Sequence, residues 1–208
     1  MKQTLFFLML IFSFCLFGQN FKYGVTGNFH KGSIVNVHDY SKGKYGGSLG
    51  GFAQWALIEN DVFNSAYLYI MPELEFNTQG EIAKANDEVQ KYTNDYVSMA
   101  VYFRYFFHQG NMKRDMFVFA GPRIEYLVYK TRSTSPAYEA GYYKYNLDAN
   151  MNNFGYGVSI GIGIAITRQW EAYMRYDRGF SKVYPDNPVN TYNRLLGVGI
   201  NYYITNNW

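Results

Sequence analysis

From Val158 to Ile166 the chain places Val158, Ile160, Ile162, Ile164 and Ile166 at every second position, with Ser159, Gly161, Gly163 and Ala165 between them. A period of two is the side-chain period of an extended strand; a helix would scatter these residues around its whole circumference. The segment therefore predicts a strand with one face of large aliphatic groups and one face of very small groups. The large face suits lipid, and the small face suits a crowded interior.

The same alternation recurs. In 96–107, Val97, Met99, Val101, Phe103 and Tyr105 share a face opposite Ser98, Ala100, Tyr102 and Arg104. In 116–130, Met116, Val118, Ala120, Pro122, Ile124, Tyr126 and Val128 oppose Gly121, Arg123 and Glu125. In 170–176, Trp170, Ala172, Met174 and Tyr176 oppose Glu171, Tyr173, Arg175 and Asp177. In 196–204, Leu196, Val198, Ile200, Tyr202 and Ile204 oppose Gly197, Gly199, Asn201 and Tyr203. Earlier strands are predicted over 21–29, 48–57 and 66–76, the last with Leu68, Ile70, Leu74 and Phe76 outward and Glu73 and Glu75 inward. With 158–166 the count is eight, an even number that closes an antiparallel barrel with both termini on one side.

Composition decides which kind of barrel. After the first 17 positions no run approaches the roughly 20 apolar residues of a membrane helix, and mean hydropathy is −0.27. Yet aromatic residues make up 20% of the chain, with 22 tyrosines, and tyrosine suits the membrane–water boundary. A soluble barrel of lipocalin type would point its apolar face inward around a ligand and need polar outward residues, which the small reverse face of the isoleucine strand argues against. The net charge of +3, without a basic run, gives no nucleic-acid interface.

Lys2, the apolar core 5–17 broken only by Ser13, and Gly18-Gln19 follow the plan of a secretory signal peptide. Residues 1–18 are read as the cleaved signal and 19–208 as one barrel domain. Cys15 is the only cysteine, so cleavage after Gly18 leaves a mature chain without disulfides or cysteine metal sites. Phe14 stands where a lipoprotein signal needs a small residue.

The connections alternate in length. Those at 30–47, 77–95, 131–153 and 181–192 are long; those at 58–65, 108–115 and 167–169 are shorter. Long outer loops and short periplasmic turns are the habit of outer-membrane barrels. Pro122 and Pro72 fall within strands, and because proline removes a ladder donor, a bulge is expected at each. A tight turn at 167–169 would set Gly161 opposite Arg175 and Gly163 opposite Tyr173, each glycine letting a large side chain lie across it.

The inward faces carry Lys22, Arg104, Arg123 and Arg175 against Glu73, Glu75, Glu125, Glu171 and Asp177. Buried charges persist only when paired, so these nine are expected to form a network filling the lumen; a proton path or substrate site is the alternative. Eight strands leave an interior just wide enough for side chains, which predicts a plugged barrel with no diffusion pore.

Two motifs then resemble a known family. Met71-Pro-Glu-Leu-Glu-Phe76 resembles its proline–glutamate strand, and Phe119-Ala-Gly-Pro122 its alanine–glycine–proline step. With the late glycine strand and the closing strand Gly197-Val-Gly-Ile-Asn-Tyr-Tyr203, they are similar to the PorT-like outer-membrane β-barrel domain, or porin family. The resemblance implies an outer-membrane barrel of a Gram-negative envelope, in the size range of OmpA/OmpX-type barrels, mostly of unassigned activity. The namesake's link to a secretion pathway rests on no residue specific to it here. Barrel chains typically end on an aromatic residue read by the assembly machinery; Trp208 is terminal here, with Asn206-Asn207 between it and Ile204.

Three function classes follow. The leading one is a non-enzymatic, monomeric barrel, structural or adhesive, without cofactor, whose partners are outer-membrane lipid, the assembly machinery and a protein or glycan at its outer loops. The second is an accessory subunit of a transport or secretion complex. The third is a lipid-modifying enzyme, which needs a His beside a Ser; His30 and His38 are placed at or in the first outer loop and His108 in a periplasmic turn, as exposed loop residues. The third outer loop gathers Tyr138, Tyr142, Tyr143 and Tyr145. These form either a binding patch or part of the aromatic belt on extended strands.

Overall fold

The computed structural model describes residues 21–36, 41–60, 65–85, 88–107, 115–134 and 150–205. Its strands are β1 (Phe21–Val35), β2 (Ser41–Asn60), β3 (Ser65–Ala85), β4 (Glu88–Phe107), β5 (Met116–Thr134), β6 (Phe154–Ala165), β7 (Trp170–Gly179) and β8 (Tyr192–Tyr203). Each pairs antiparallel with its sequence neighbour, and β1 pairs with β8, so the sheet is a closed eight-stranded barrel.

Closure makes the predicted facing consistent around the ring. Leu49 is 71% exposed, whereas Arg104 and Glu81 are 0% exposed. That inversion is the signature of a barrel whose solvent is lipid outside and its own side chains inside. Ile160, Ile162, Ile164 and Ile166 all face out, and Ser159 is buried. Two aromatic belts bound the aliphatic band. At the end carrying the termini, Phe21 packs on Trp55, Tyr105 on Phe107 and Trp170 on Tyr202, with ring centroids 5.0, 5.1 and 4.7 Å apart. At the opposite end Phe29 stacks on Tyr45 at 5.6 Å, and Tyr126, Tyr129, Phe154 and Tyr156 are exposed.

Two expectations need correction. First, 30–47 and 77–95 are not long loops. β1 runs to Val35, β2 starts at Ser41, β3 reaches Ala85 and β4 starts at Glu88. Beyond the membrane the outward face of a strand meets water while its inward face stays buried with polar residues such as Gln79, Glu81 and Asn94, so the ladder continues while apolar alternation, the signal that marks it, fades. His30 accordingly sits within β1 as a buried lumen residue, 2% exposed, and not in a loop.

Second, neither Pro72 nor Pro122 makes a bulge. The β4–β5 register runs unshifted from Ala100↔Arg123 to Phe103↔Ala120, with Val101/Pro122 and Tyr102/Gly121 simply unpaired. The β2–β3 register likewise runs unshifted from Phe52↔Glu73 to Trp55↔Ile70. The ladder opens at each proline, which has no N–H to give, and closes again in phase. Gly121 is part of that arrangement: a Cβ there would lie 1.9 Å from the Val101 carbonyl oxygen.

The register shift of β4–β5 lies instead between Asp95 and Tyr96, where Tyr96 pairs with Leu127 and Asp95 with Tyr129. Val128 is the extra residue, and Val128 and Tyr129 are both exposed.

Gly161 does pair with Arg175, and Gly163 with Tyr173. The rings that lie across these glycines come from the other side, from β5. A Cβ would lie 2.2 Å from Phe119 Cζ at Gly161 and 2.2 Å from Phe117 Cζ at Gly163.

Candidate functional site

All nine charged residues expected in the lumen are buried: Lys22, Glu73, Glu75, Arg104, Arg123, Glu125, Glu171, Arg175 and Asp177 are each 8% exposed or less. Their inward facing follows from strand parity, and the closed ring brings them together in two clusters.

The first cluster lies toward the end with the termini. Arg104 on β4 donates to Glu171 Oε2 at 2.7 Å and to Tyr203 Oη at 2.7 Å, and also to Gln54. Tyr203 Oη donates to Glu171 Oε1 at 3.0 Å, and Asn201 Nδ2 to Glu171 Oε2 at 3.0 Å. The Arg104 guanidinium lies 4.1 Å from the centroid of the Phe117 ring. Lys22 Nζ stands 5.7 Å from the Tyr69 ring centroid in the same region.

The second cluster fills the middle. Arg175 donates to Glu73 Oε1 at 2.7 Å through Nη1, and to both oxygens of Glu75 at 2.9 and 3.0 Å through Nη2. Its Nε is 3.2 Å from Asp177 Oδ2. Arg123 reaches the same two acids, Glu75 at 2.6 Å and Asp177 at 3.2 Å, and donates to Ser98 Oγ at 2.9 Å. Two guanidinium groups thus stand close together because two carboxylates are shared between them. Glu125 lies 3.8 Å from Arg123 Nε and accepts from Gln79 and Asn193. Buried ion pairs roughly cancel their own desolvation cost, but removal of one member leaves a charge stranded at about 3–5 kcal/mol. The network therefore specifies side-chain positions more than it adds stability.

Aromatic rings occupy the remaining space. Phe117, Phe119, Tyr102, Tyr173, Phe52 and Tyr203 form one buried cluster with Met71 and Ala100. Two gaps between the side chains, one beside Arg123 and Asp177 and one beside Glu73 and Arg104, measure about 10 Å³ each, near the room needed for a single water.

Tyr102, Tyr173, Tyr203, Gln54 and Ser98 take part in the interior alongside the nine charged residues. Their inward parity was legible, but counting charges alone passes over phenols and amides. Glu81, Gln79 and Asn94 are buried on stretches where the apolar alternation has already faded. His30 Nε2 lies 2.9 Å from the Thr78 carbonyl, and its Nδ1 is 3.1 Å from the Asn28 side-chain amide. Tyr138, Tyr142, Tyr143 and Tyr145, with His38, His108 and residues 1–18, lie outside the described residues. Among the described residues no group of His, Cys, Asp and Glu is arranged to hold a metal.

The fourth connection at the end opposite the termini is folded. Val183, Tyr184 and Ile34 form a small buried cluster with Met151 packed against it. Asn152 N donates to the Val183 carbonyl at 2.9 Å, and Asn36 Nδ2 to the Asn190 carbonyl at 2.9 Å. Segment 180–191 is thereby tied to the end of β1 and to the approach to β6.

The family model described as "Outer membrane protein beta-barrel domain" matches residues 17–184. No curated protein matches the sequence. Solved structures that it resembles include Neisserial surface protein A (NspA), at 14% identity over 88% of this chain and 96% of that one, with a TM-score of 0.44. Another is Ail, the attachment invasion locus protein of Yersinia pestis, in complex with the heparin analogue sucrose octasulfate, at 10% identity over 89% and 99%, with a TM-score of 0.43. A third is the outer membrane enzyme PagL, at 13% identity over 85% and 98%, with a TM-score of 0.47. At these identities the likeness concerns the path of the chain alone.

Proposed function

The chain belongs to the outer membrane protein beta-barrel domain family and so to the outer membrane; on that premise we propose that it is a plugged, non-enzymatic barrel acting through the exposed end opposite its termini. The observation that carries this reading is the filled lumen. Arg104, Arg123 and Arg175 are each fixed by two or more polar partners, and the gaps beside them have room for about one water. A path for solutes would require these pairs to part at several kcal/mol each.

The non-enzymatic reading is supported by His30, whose ring nitrogens face the Thr78 carbonyl and Asn28 inside the lumen, away from any lipid substrate. The PorT-like kind is supported by the order of the Pro72-Glu73 and Gly121-Pro122 steps. In this reading residues 1–18 direct export and are removed, the termini face the periplasm, and the mature chain works as a monomer. A protein or glycan ligand meets the outer end.

The test is conductance of the purified, folded chain in a planar lipid bilayer. A silent membrane over repeated insertions is the expected result. Regular unitary steps would overturn the plugged reading, whereas a chain that shows no heat-dependent gel shift in detergent would overturn the membrane reading itself.

A further inference from the structure

On β7 and β8, Arg178 pairs directly opposite Arg194. Both belong to the outward face, two residues beyond Tyr176 and Leu196 at the end opposite the termini. Like charges directly opposite each other on one sheet face destabilise the pairing, so the arrangement calls for something negative between them. No outward position of β6, β7, β8 or β1 among the described residues is Asp or Glu. The nearest described carboxylate in the adjoining connection, Asp186, is engaged by Asn150. Lys31, exposed on β1, pairs with Leu196 and is thus diagonal to Arg194. Arg178 lies over the Tyr192 ring at 5.3 Å, and Arg194 faces the Ser33 hydroxyl at 3.4 Å. Two arginines and a hydroxyl are therefore neighbours at the level of the aromatic belt, whereas the Lys31 ammonium leans the other way, over the Tyr45 ring on β2 at 5.7 Å.

A second observation lies directly beneath. An apolar depression of about 800 Å³ opens on the lipid side of the same strands, where small Gly27 and Ala172 are flanked by Phe29, Ile162, Met174 and Ile200. It begins at Val198, four residues down β8 from Arg194, or about 13 Å at the rise of a strand. A guanidinium pair suits a phosphate, which it can grip with several N–H groups at once, and an apolar trough suits an acyl chain.

From this alignment we propose that Arg178 and Arg194 seat a phosphate of an outer-leaflet glycolipid whose acyl chain lies in the trough beside Gly27 and Ala172. The proposal rests on the outer-membrane reading for the orientation of the barrel. The lipid serves as a bound annular partner; no bond is made or broken. It would neutralise the arginine pair and fill this depression on the aliphatic band.

The test uses the full mature chain, folded in non-ionic detergent, with bis-phosphorylated lipid A as probe and native mass spectrometry as readout. Dephosphorylated lipid A and phosphatidylglycerol are the comparisons. The phosphorylated glycolipid is expected to bind at least tenfold more tightly than either. Arg178→Gln/Arg194→Gln should abolish that preference, and Lys84→Gln/Lys91→Gln, which removes charge elsewhere on the outer surface, should not. Ala172→Phe should weaken binding of both forms of the glycolipid. Retention of the heat-dependent gel shift in every variant keeps the membrane reading intact, so a failure then belongs to the seat alone. Equal binding of the dephosphorylated form, or an unchanged preference in the double arginine variant, would overturn the phosphate seat. Equal binding of phosphatidylglycerol would overturn the choice of glycolipid.

Discussion

Arg104 shows how much a single interior side chain is asked to do. It is fully buried and holds Glu171, Tyr203 and Gln54 at once. Arg104→Met is expected to lower stability by about 3–5 kcal/mol, because Glu171 would lose its guanidinium partner while staying buried. The double variant Arg104→Met/Glu171→Leu should recover part of that loss; urea midpoints of the folded gel band measure both, and a double loss equal to the sum of the singles would deny the coupling. Gly163 is constrained by space alone. A Cβ there meets Phe117 at 2.2 Å and the Ala172 carbonyl oxygen at 2.8 Å. Gly163→Val should therefore cost at least the roughly 1–3 kcal/mol typical of overpacking, with partial rescue by Phe117→Ala in the same assay. The need for small residues on that face was readable from the sequence. Their covering rings were not, because Phe117 and Phe119 reach Gly163 and Gly161 only through the β5–β6 register.

At the scale of strands, two contrasts separate facing from register. Ile162 stands outward in the aliphatic band. Ile162→Arg should raise the cost of insertion by about 2–4 kcal/mol near the bilayer midplane, whereas Ile162→Leu should insert normally; vesicle insertion yields read the difference, and normal insertion of the arginine variant would contradict the facing. On β5, Pro122 is exposed and its ladder position toward β4 is already open. Pro122→Ala should thus stay within about 0.5 kcal/mol, as exposed substitutions usually do. Gly121→Ala should be the more damaging of the two, since its Cβ would overlap the Val101 carbonyl. Urea midpoints that rank the pair the other way would refute this account of the glycine–proline step. A missing donor at proline does not by itself shift the register. The barrel instead leaves the position unpaired and keeps its phase.

Across the whole molecule, the membrane-spanning band and the outer projection answer to different constraints. Between the aromatic belts, each outward residue is apolar and each inward charge finds a partner across the lumen. Beyond the outer belt, β3 and β4 continue as a hairpin to Ala85↔Glu88, polar or small on both faces for much of its length. Replacing 83–90 with Asn-Gly, which favours a tight two-residue turn, should therefore leave the heat-dependent gel shift in place. Loss of the folded band in that variant would mean that the projection helps close the barrel.

The alternation of large and small side chains was enough to determine the strand class, the count of eight and the facing of the lumen residues, because a period of two commits every residue to one face or the other. Apolar alternation exists only where one face meets lipid, so it runs out where the strands leave the membrane, and His30 belongs to a stretch of β1 that it does not mark. The partners inside the lumen were beyond its reach for a different reason. Arg175 and Glu75 lie 100 residues apart in sequence and meet only because closure of the ring carries β7 across from β3. Which carboxylate holds which guanidinium, and which ring covers which glycine, was decided by register and curvature, which no single strand contains.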